Sequence, residues 1–81
     1  TSYPQVLVNV RTNNKIADPA DVLAEQVATA ERLLAGNGRV LLRASGTEPV
    51  IRVMVEAETA ELAREVAGSL ADAVRAADEA H

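Results

Sequence analysis

Between Arg43 and Arg52 the chain reads RASGTEPVIR, with Ser45, Gly46, Thr47, Glu48 and Pro49 closely spaced inside two arginines. These residue types suit an oxyanion. A guanidinium is planar and permanently charged, and it meets phosphate or carboxylate oxygens with two parallel N–H donors. Ser45 and Thr47 add hydroxyl donors. Gly46 removes a side chain where an anion must approach backbone N–H groups, and it permits the positive φ from which an anion-binding nest is made. Pro49 stiffens the exit. Glu48 is the exception: a carboxylate among such ligands repels an anion, so it is expected to turn away, toward an arginine or a neighbouring domain. Neither a Walker loop (G-x-x-x-x-G-K-[ST]) nor a G-x-G-x-x-G dinucleotide loop is present.

The segments around this turn must hold it. QVLVNV (Gln5 to Val10) is rich in β-branched residues and reads as a strand, with Pro4 suited to the start of an edge strand. After a polar loop, Asp18 and Pro19 mark a helix start as N-cap and first helical residue. Leu23, Val27, Ala30 and Leu34 then recur at helical spacing, until Gly36, Asn37 and Gly38 stop the helix. RVLLRA (Arg39 to Ala44) and VIRVMVEA (Val50 to Ala57) are the second and third strands. Thr59 caps a second helix whose stripe is Leu62, Val66, Leu70, Val74 and Ala77. The order is β-α-β-β-α, with no repeat or internal linker.

A right-handed crossover makes the first two strands parallel, and the third returns from the second as a hairpin. Insertion of the third strand between the others gives a split βαβ unit: an α+β fold, three-stranded antiparallel sheet of order 1-3-2, two helices on one face. With Arg43 opposite Arg52, Leu41 faces Met54 and Arg39 faces Glu56. The other side pairs Ala44 with Ile51, Leu42 with Val53, and Val40 with Val55. That side is wholly apolar and belongs under the helices. A slip of one residue would undo the sorting. The arginine pair repels itself across the strands, a cost that a bound dianion converts into attraction. The loop after the first strand, with Arg11 and Lys15, falls at the same end as the turn. The row Leu7, Leu41 and Met54 is left as a surface for a partner domain.

The 81 residues make a single domain, 1–81, and 48% of them are hydrophobic with Tyr3 the only aromatic, so the core is aliphatic. No cysteine is present, which excludes disulfides and thiolate metal sites. A net charge of −4 and the scarcity of aromatics argue against a nucleic-acid partner. No apolar run approaches the roughly 20 residues that span a bilayer, and the N-terminus lacks the pattern of a signal peptide.

GRVLLRASGTEPVIRVMVEA, together with the earlier YPQVLVNVR, resembles the C-terminal phosphate-binding domain of the α-D-phosphohexomutase superfamily. R-x-S-G-T-E-P-x-x-R is the superfamily's motif, and the flanking IRVMVE and YPQVLVNV are similar to its bacterial phosphoglucosamine mutase branch. The resemblance extends from Tyr3 to about Ala76. It implies a fourth domain of a cytoplasmic, bacterial four-domain isomerase. That enzyme interconverts glucosamine 6-phosphate and glucosamine 1-phosphate on the route to UDP-N-acetylglucosamine and peptidoglycan precursors. A phosphoserine donates to, then takes back from, a bis-phosphosugar, with Mg²⁺ at that serine. The fourth domain grips the phosphate that is not transferred, a task that falls by motif position to Arg43, Ser45, Gly46, Thr47 and Arg52. The expected partners are the phosphosugar and the other domains of the parent mutase.

The superfamily's serine loop (T-A-S-H-N-P), metal loop (D-x-D-x-D) and sugar loop (G-E-x-x-S-G-H) do not occur among these residues. The 81 residues by themselves are therefore expected to bind without catalysing, with no metal ligand or cofactor of their own. His81 reads as a terminal residue and not as a ligand. Two other readings stay open: the same domain of a phosphomannomutase or phosphoglucomutase, and a non-catalytic βαββα interaction module.

Overall fold

The computed structural model describes residues 3–14 and 16–80; Lys15 and His81, both considered above, lie outside the described residues. The elements in chain order are β1 (Gln5–Arg11), α1 (Pro19–Val22), α2 (Ala24–Leu34), β2 (Gly38–Ala44), β3 (Val50–Ala57) and α3 (Ala60–Ala80). The sheet is three-stranded, of order β1-β3-β2, and antiparallel at both junctions. The most apolar strand takes the middle, where it is covered by neighbours on two edges and by helices on one face.

The expected register holds throughout the hairpin. Arg39 faces Glu56, Leu41 faces Met54 and Arg43 faces Arg52, while Val40, Leu42 and Ala44 face Val55, Val53 and Ile51. The second set lies in the core with Val10, Leu34, Val66, Leu70 and Val74; Val53, Val55 and Val74 have no exposed surface. α3 packs on β1 and β3, and α1 and α2 pack on β2.

The helical stripes differ in two respects from the sequence expectation. The helix expected from Pro19 to Leu34 divides at Leu23, which has φ −107° and ψ 29°. Its hydrogen bonds continue across the joint: Leu23 N–H donates to the Pro19 carbonyl and Val27 N–H to the Leu23 carbonyl, both at 2.9 Å. The bend lets buried Pro19 and Leu23 reach the core together with Ala30 and Leu34. In α3 the buried stripe is broader than the large residues alone, because Ala63, Ala67 and Ala71 are also buried, while Leu62 and Ala77 lie at its margin. Alanines four residues apart present one thin face, which brings this helix close to the sheet.

Both expected N-caps form. Asp18 Oδ1 accepts from Asp21 N–H at 3.3 Å, and Thr59 Oγ1 accepts from Leu62 N–H at 3.1 Å. At the other end of α2 the left-handed turn begins one residue before the expected glycine, at Ala35 (φ 53°), and continues through Gly36 (φ 80°). Gly38 then opens β2 at φ 148°, so close to the partner strand that an added Cβ would collide with the Glu56 carbonyl oxygen.

These two positions should respond in opposite directions. Gly38→Ala should destabilise the chain by roughly 1–3 kcal/mol through backbone strain. Ala35→Gly should stabilise it by roughly 0.5–1 kcal/mol, the relief of a left-handed alanine less the greater freedom of glycine when unfolded. Urea unfolding followed by circular dichroism checks both; equal midpoints for the two variants would contradict the argument.

Candidate functional site

The register that buries the apolar face of the sheet commits alternate residues to the opposite face, which carries no helix. Three rows cross it. At one end stand Gln5, Glu56 and Arg39, in the middle Leu7, Met54 and Leu41, and next to the turn Asn9, Arg52 and Arg43. The first row is neutralised within itself: Arg39 Nε lies 3.2 Å from Glu56 Oε1, which also accepts from Gln5 Nε2 at 3.0 Å. The third row is not. Arg43 and Arg52 are both exposed, and among the described residues neither makes an ion pair.

The turn is built around Ser45. Its N–H donates to the Val50 carbonyl at 2.9 Å, closing the hairpin. Its Oγ accepts from the N–H groups of Thr47 and Glu48, each at 3.4 Å. Both bonds are long, so an incoming anion can take over those N–H groups at small cost. An oxygen accepting two bonds is also polarised as a donor, and the Ser45 O–H is left to point elsewhere. The expected nest at Gly46 does not form: among the described residues positive φ occurs only at Ala35, Gly36 and Gly38. The Ser45 hydroxyl organises the turn in its place. What Gly46 supplies is room, since an added Cβ there would meet nothing within 4 Å.

Arg43, Ser45, Gly46, Thr47 and Arg52, the five residues expected from the motif, converge on one open depression of about 520 Å³, whose floor includes Leu7, Leu41 and Met54. A second depression of about 320 Å³ lies on the β1 side of Arg52 and is lined by Asn9, Arg11, Ser45, Glu48, Val50 and Arg52. Glu48 turns toward an arginine and does not line the larger depression. Its Oε2 lies 3.5 Å from Arg11 Nη2, with the two side chains 61% and 73% exposed. Arg11 stands at the turn end of the sheet, opposite Val50.

Three supporting residues were not identified from the sequence. Asn9 extends the arginine row onto β1; its parity with Leu7 and Arg11 marks that position. Thr12 is buried, and both its N–H and its hydroxyl donate to the Pro49 carbonyl, at 2.7 and 3.1 Å, so the turn is fastened from behind. Asp78, also buried, receives the N–H of Asn13 at 3.1 and 2.9 Å and that of Asn14 at 2.8 Å, while Asn14 Nδ2 donates to its carbonyl at 3.0 Å. An acid in the last turn of a helix opposes the helix dipole. Its spacing of four from Val74 and eight from Leu70 places it in the buried stripe, and that conflict was the available signal. Thr12 gave none.

Residues 7–73 match the family described as phosphoglucomutase/phosphomannomutase, C-terminal domain. The chain is 63% identical over 78 residues to a phosphoglucosamine mutase of Parafrankia sp. (strain EAN1pec), covering 95% of this chain and 17% of that protein. It is 61% identical over 77 residues to a phosphoglucosamine mutase of Thermus thermophilus, covering 91% of this chain and again 17% of the relative. Among solved structures, Aspergillus fumigatus N-acetylphosphoglucosamine mutase in complex with GlcNAc-6P and magnesium superimposes with a TM-score of 0.72. That match has 30% identity and covers 96% of this chain and 16% of that one.

The supports behind the turn are open to test. Asp78→Ala strands two backbone donors, and bonds to a charged acceptor are worth about 1.5–3 kcal/mol, so a loss of that order is expected. Thr12→Val removes one neutral bond and should cost about 1 kcal/mol. Hydrogen exchange should quicken at Asn13 and Asn14 in the first variant; unchanged protection there would refute the assignment.

Proposed function

The chain belongs to the phosphoglucomutase/phosphomannomutase C-terminal domain family, and from that premise we propose that it is the fourth, phosphate-binding domain of a phosphoglucosamine mutase. The observation that carries the reading is the cross-strand pair Arg43–Arg52, unneutralised beside a turn of hydroxyl and N–H donors. Two like charges fixed opposite one another lower stability unless an anion lies between them. A phosphate dianion supplies both the charge and enough oxygens to receive two guanidinium forks, the Ser45 and Thr47 hydroxyls and the turn N–H groups.

In the proposed enzyme this domain holds the phosphate that is not being transferred during the exchange of glucosamine 6-phosphate and glucosamine 1-phosphate. Contacts remote from the reacting centre then fix the orientation of the transferred group. The two phosphosugar orientations in such an exchange present different ring atoms to this domain but the same phosphate chemistry, and a grip that recognises only phosphate accepts both. Identities of 63% and 61% to phosphoglucosamine mutases favour the glucosamine substrate over mannose or glucose phosphates.

The phosphoserine chemistry and the magnesium that assists it belong to residues outside this sequence. Among the described residues no three His, Cys, Asp or Glu side chains gather to hold a cation. The chain alone should bind and not catalyse. No described helix is long and apolar enough to cross a membrane, and the proposed site of action is the cytoplasm, where sugar-phosphate precursors are made.

The same reading gives the helix-free face an occupant. Leu7 and Leu41 are 67% and 42% exposed beside the anion depression, with Met54 between them. The chain spans 17% of its relatives' length, and we assign the apolar row to contact with the other domains of the parent chain, continuous with the substrate cleft. Leu7→Ser with Leu41→Ser should leave the unfolding free energy of the 81-residue chain within about 1 kcal/mol of its original value, since exposed sites contribute little. In the full-length mutase the same pair should raise KM severalfold. An unchanged KM would dismiss the interface.

For the phosphate grip, Arg43→Ala or Arg52→Ala in the full-length mutase should lower kcat/KM roughly ten- to a hundredfold, from about 1.5–3 kcal/mol of lost charged hydrogen bonding. Lysine at either position should restore only part, because it keeps the charge and loses the fork. Ser45→Ala should cost less. In the 81-residue chain, titration with inorganic phosphate should shift the amides of Ser45, Gly46 and Thr47 with a Kd above roughly 1 mM, weaker at high salt. Unchanged kcat/KM in both arginine variants would remove the functional reading.

A further inference from the structure

The depression on the β1 side of Arg52 shares Ser45 and Arg52 with the grip described above and adds Arg11 and Glu48 to them. Glu48 is the one acid of the turn, and its own N–H donates to the Ser45 hydroxyl, so its backbone is fixed within the anion-binding segment. Its side chain has two cations within that depression. Arg11 holds it now, at 3.5 Å. Arg52 is the other.

We propose that Arg11 is a positioning residue for the phosphate site, acting as a holdback for Glu48; the proposal rests on the phosphate reading above. By engaging the Glu48 carboxylate at 3.5 Å, Arg11 keeps it from pairing with Arg52 and from repelling the incoming dianion. Arg11 makes no contact with phosphate in this scheme. Its whole contribution to binding passes through Glu48. The placement is consistent with that division of labour. Arg11 lies opposite Val50, one alternate position beyond the Asn9–Arg52 pair, and is displaced toward the end of the sheet. Thr12, its neighbour, fastens the Pro49 carbonyl with two hydrogen bonds, so the distance between Arg11 and the turn is set by the backbone on both sides. Because both partners are largely exposed, the pair has little to do with stability. An unchanged fold in the variants is therefore expected.

The scheme differs from a simple sum of charges in a measurable way. If Arg11 attracts phosphate directly, removing it costs the same whether or not Glu48 is present. If it works by restraining Glu48, removing it costs affinity only while Glu48 carries its charge. The test is a double-mutant cycle on the 81-residue chain with inorganic phosphate as the probe, read from the amide shifts of Ser45, Gly46 and Thr47. Arg11→Ala should weaken phosphate binding roughly three- to fivefold, the range of an exposed ion pair. In the Glu48→Gln background, Arg11→Ala should change it by less than about twofold. Equal losses in the two backgrounds would overturn the proposal and make Arg11 a direct ligand; no loss in either would overturn it as well. Arg52→Ala, measured alongside, separates the two levels of the argument. A loss there with a flat cycle leaves the phosphate grip standing and ends the role of Arg11, whereas no loss there ends both. Amide spectra that overlay away from the turn confirm that the variants share one fold.

Discussion

Two guanidinium groups held opposite each other across a hairpin are the constraint on which the molecule turns. The hydrogen bonds of the turn close the hairpin, but they do not by themselves hold the pair in place. Their opposition is set by the register of β2 on β3, and the register is set by Val40, Leu42 and Ala44 meeting Val55, Val53 and Ile51 beneath the helices. A shift of one residue would bring those side chains out of the core and carry the arginines into it, at a cost no surface contact could offset. The hydrophobic face therefore specifies the charged one. The geometry of the exposed face is enforced from the buried face, through a backbone only one residue thick.

The same logic extends behind the turn. The Pro49 carbonyl receives two hydrogen bonds from Thr12, the next residues along lie in the grasp of Asp78, and Asp78 is seated on the longest helix. Hydroxyl and N–H donors on a short turn would otherwise sample many orientations. Here a helix, a loop and two strands share the task of restricting them, which is the preorganisation that turns a set of weak donors into a site.

Topology and register were legible in the sequence because they follow from period. The charged residues of RVLLRA and VIRVMVEA (Arg39, Arg43, Arg52 and Glu56) all fall on one parity within each strand, which leaves one sorted pairing, and the split βαβ order follows from the handedness of the crossover and the apolar character of the third strand. The five turn residues were legible by chemical type and by resemblance. Details that depend on three-dimensional proximity were not. The division of the first helix at Leu23 arises from the demand that Pro19 and Leu34 reach one core. The conformation of Gly46 was hidden because glycine permits a positive φ without requiring one, and the Ser45 hydroxyl satisfied the turn by another route. Thr12 sits in a polar loop where composition predicts solvent exposure, and only contact with Pro49, distant in sequence, gives it a buried role.

The middle strand is the last to be made. β1 leaves the ribosome first but has no neighbour until β3 exists, whereas β2 and β3 are joined by a turn of a few residues and can meet on the microsecond scale of hairpins. Assembly should therefore begin at the hairpin, with β1 recruited afterwards across a long loop whose closure is slow. The repulsion between Arg43 and Arg52 then falls on the earliest event. Salt that screens this repulsion should therefore hasten the nucleus of the fold.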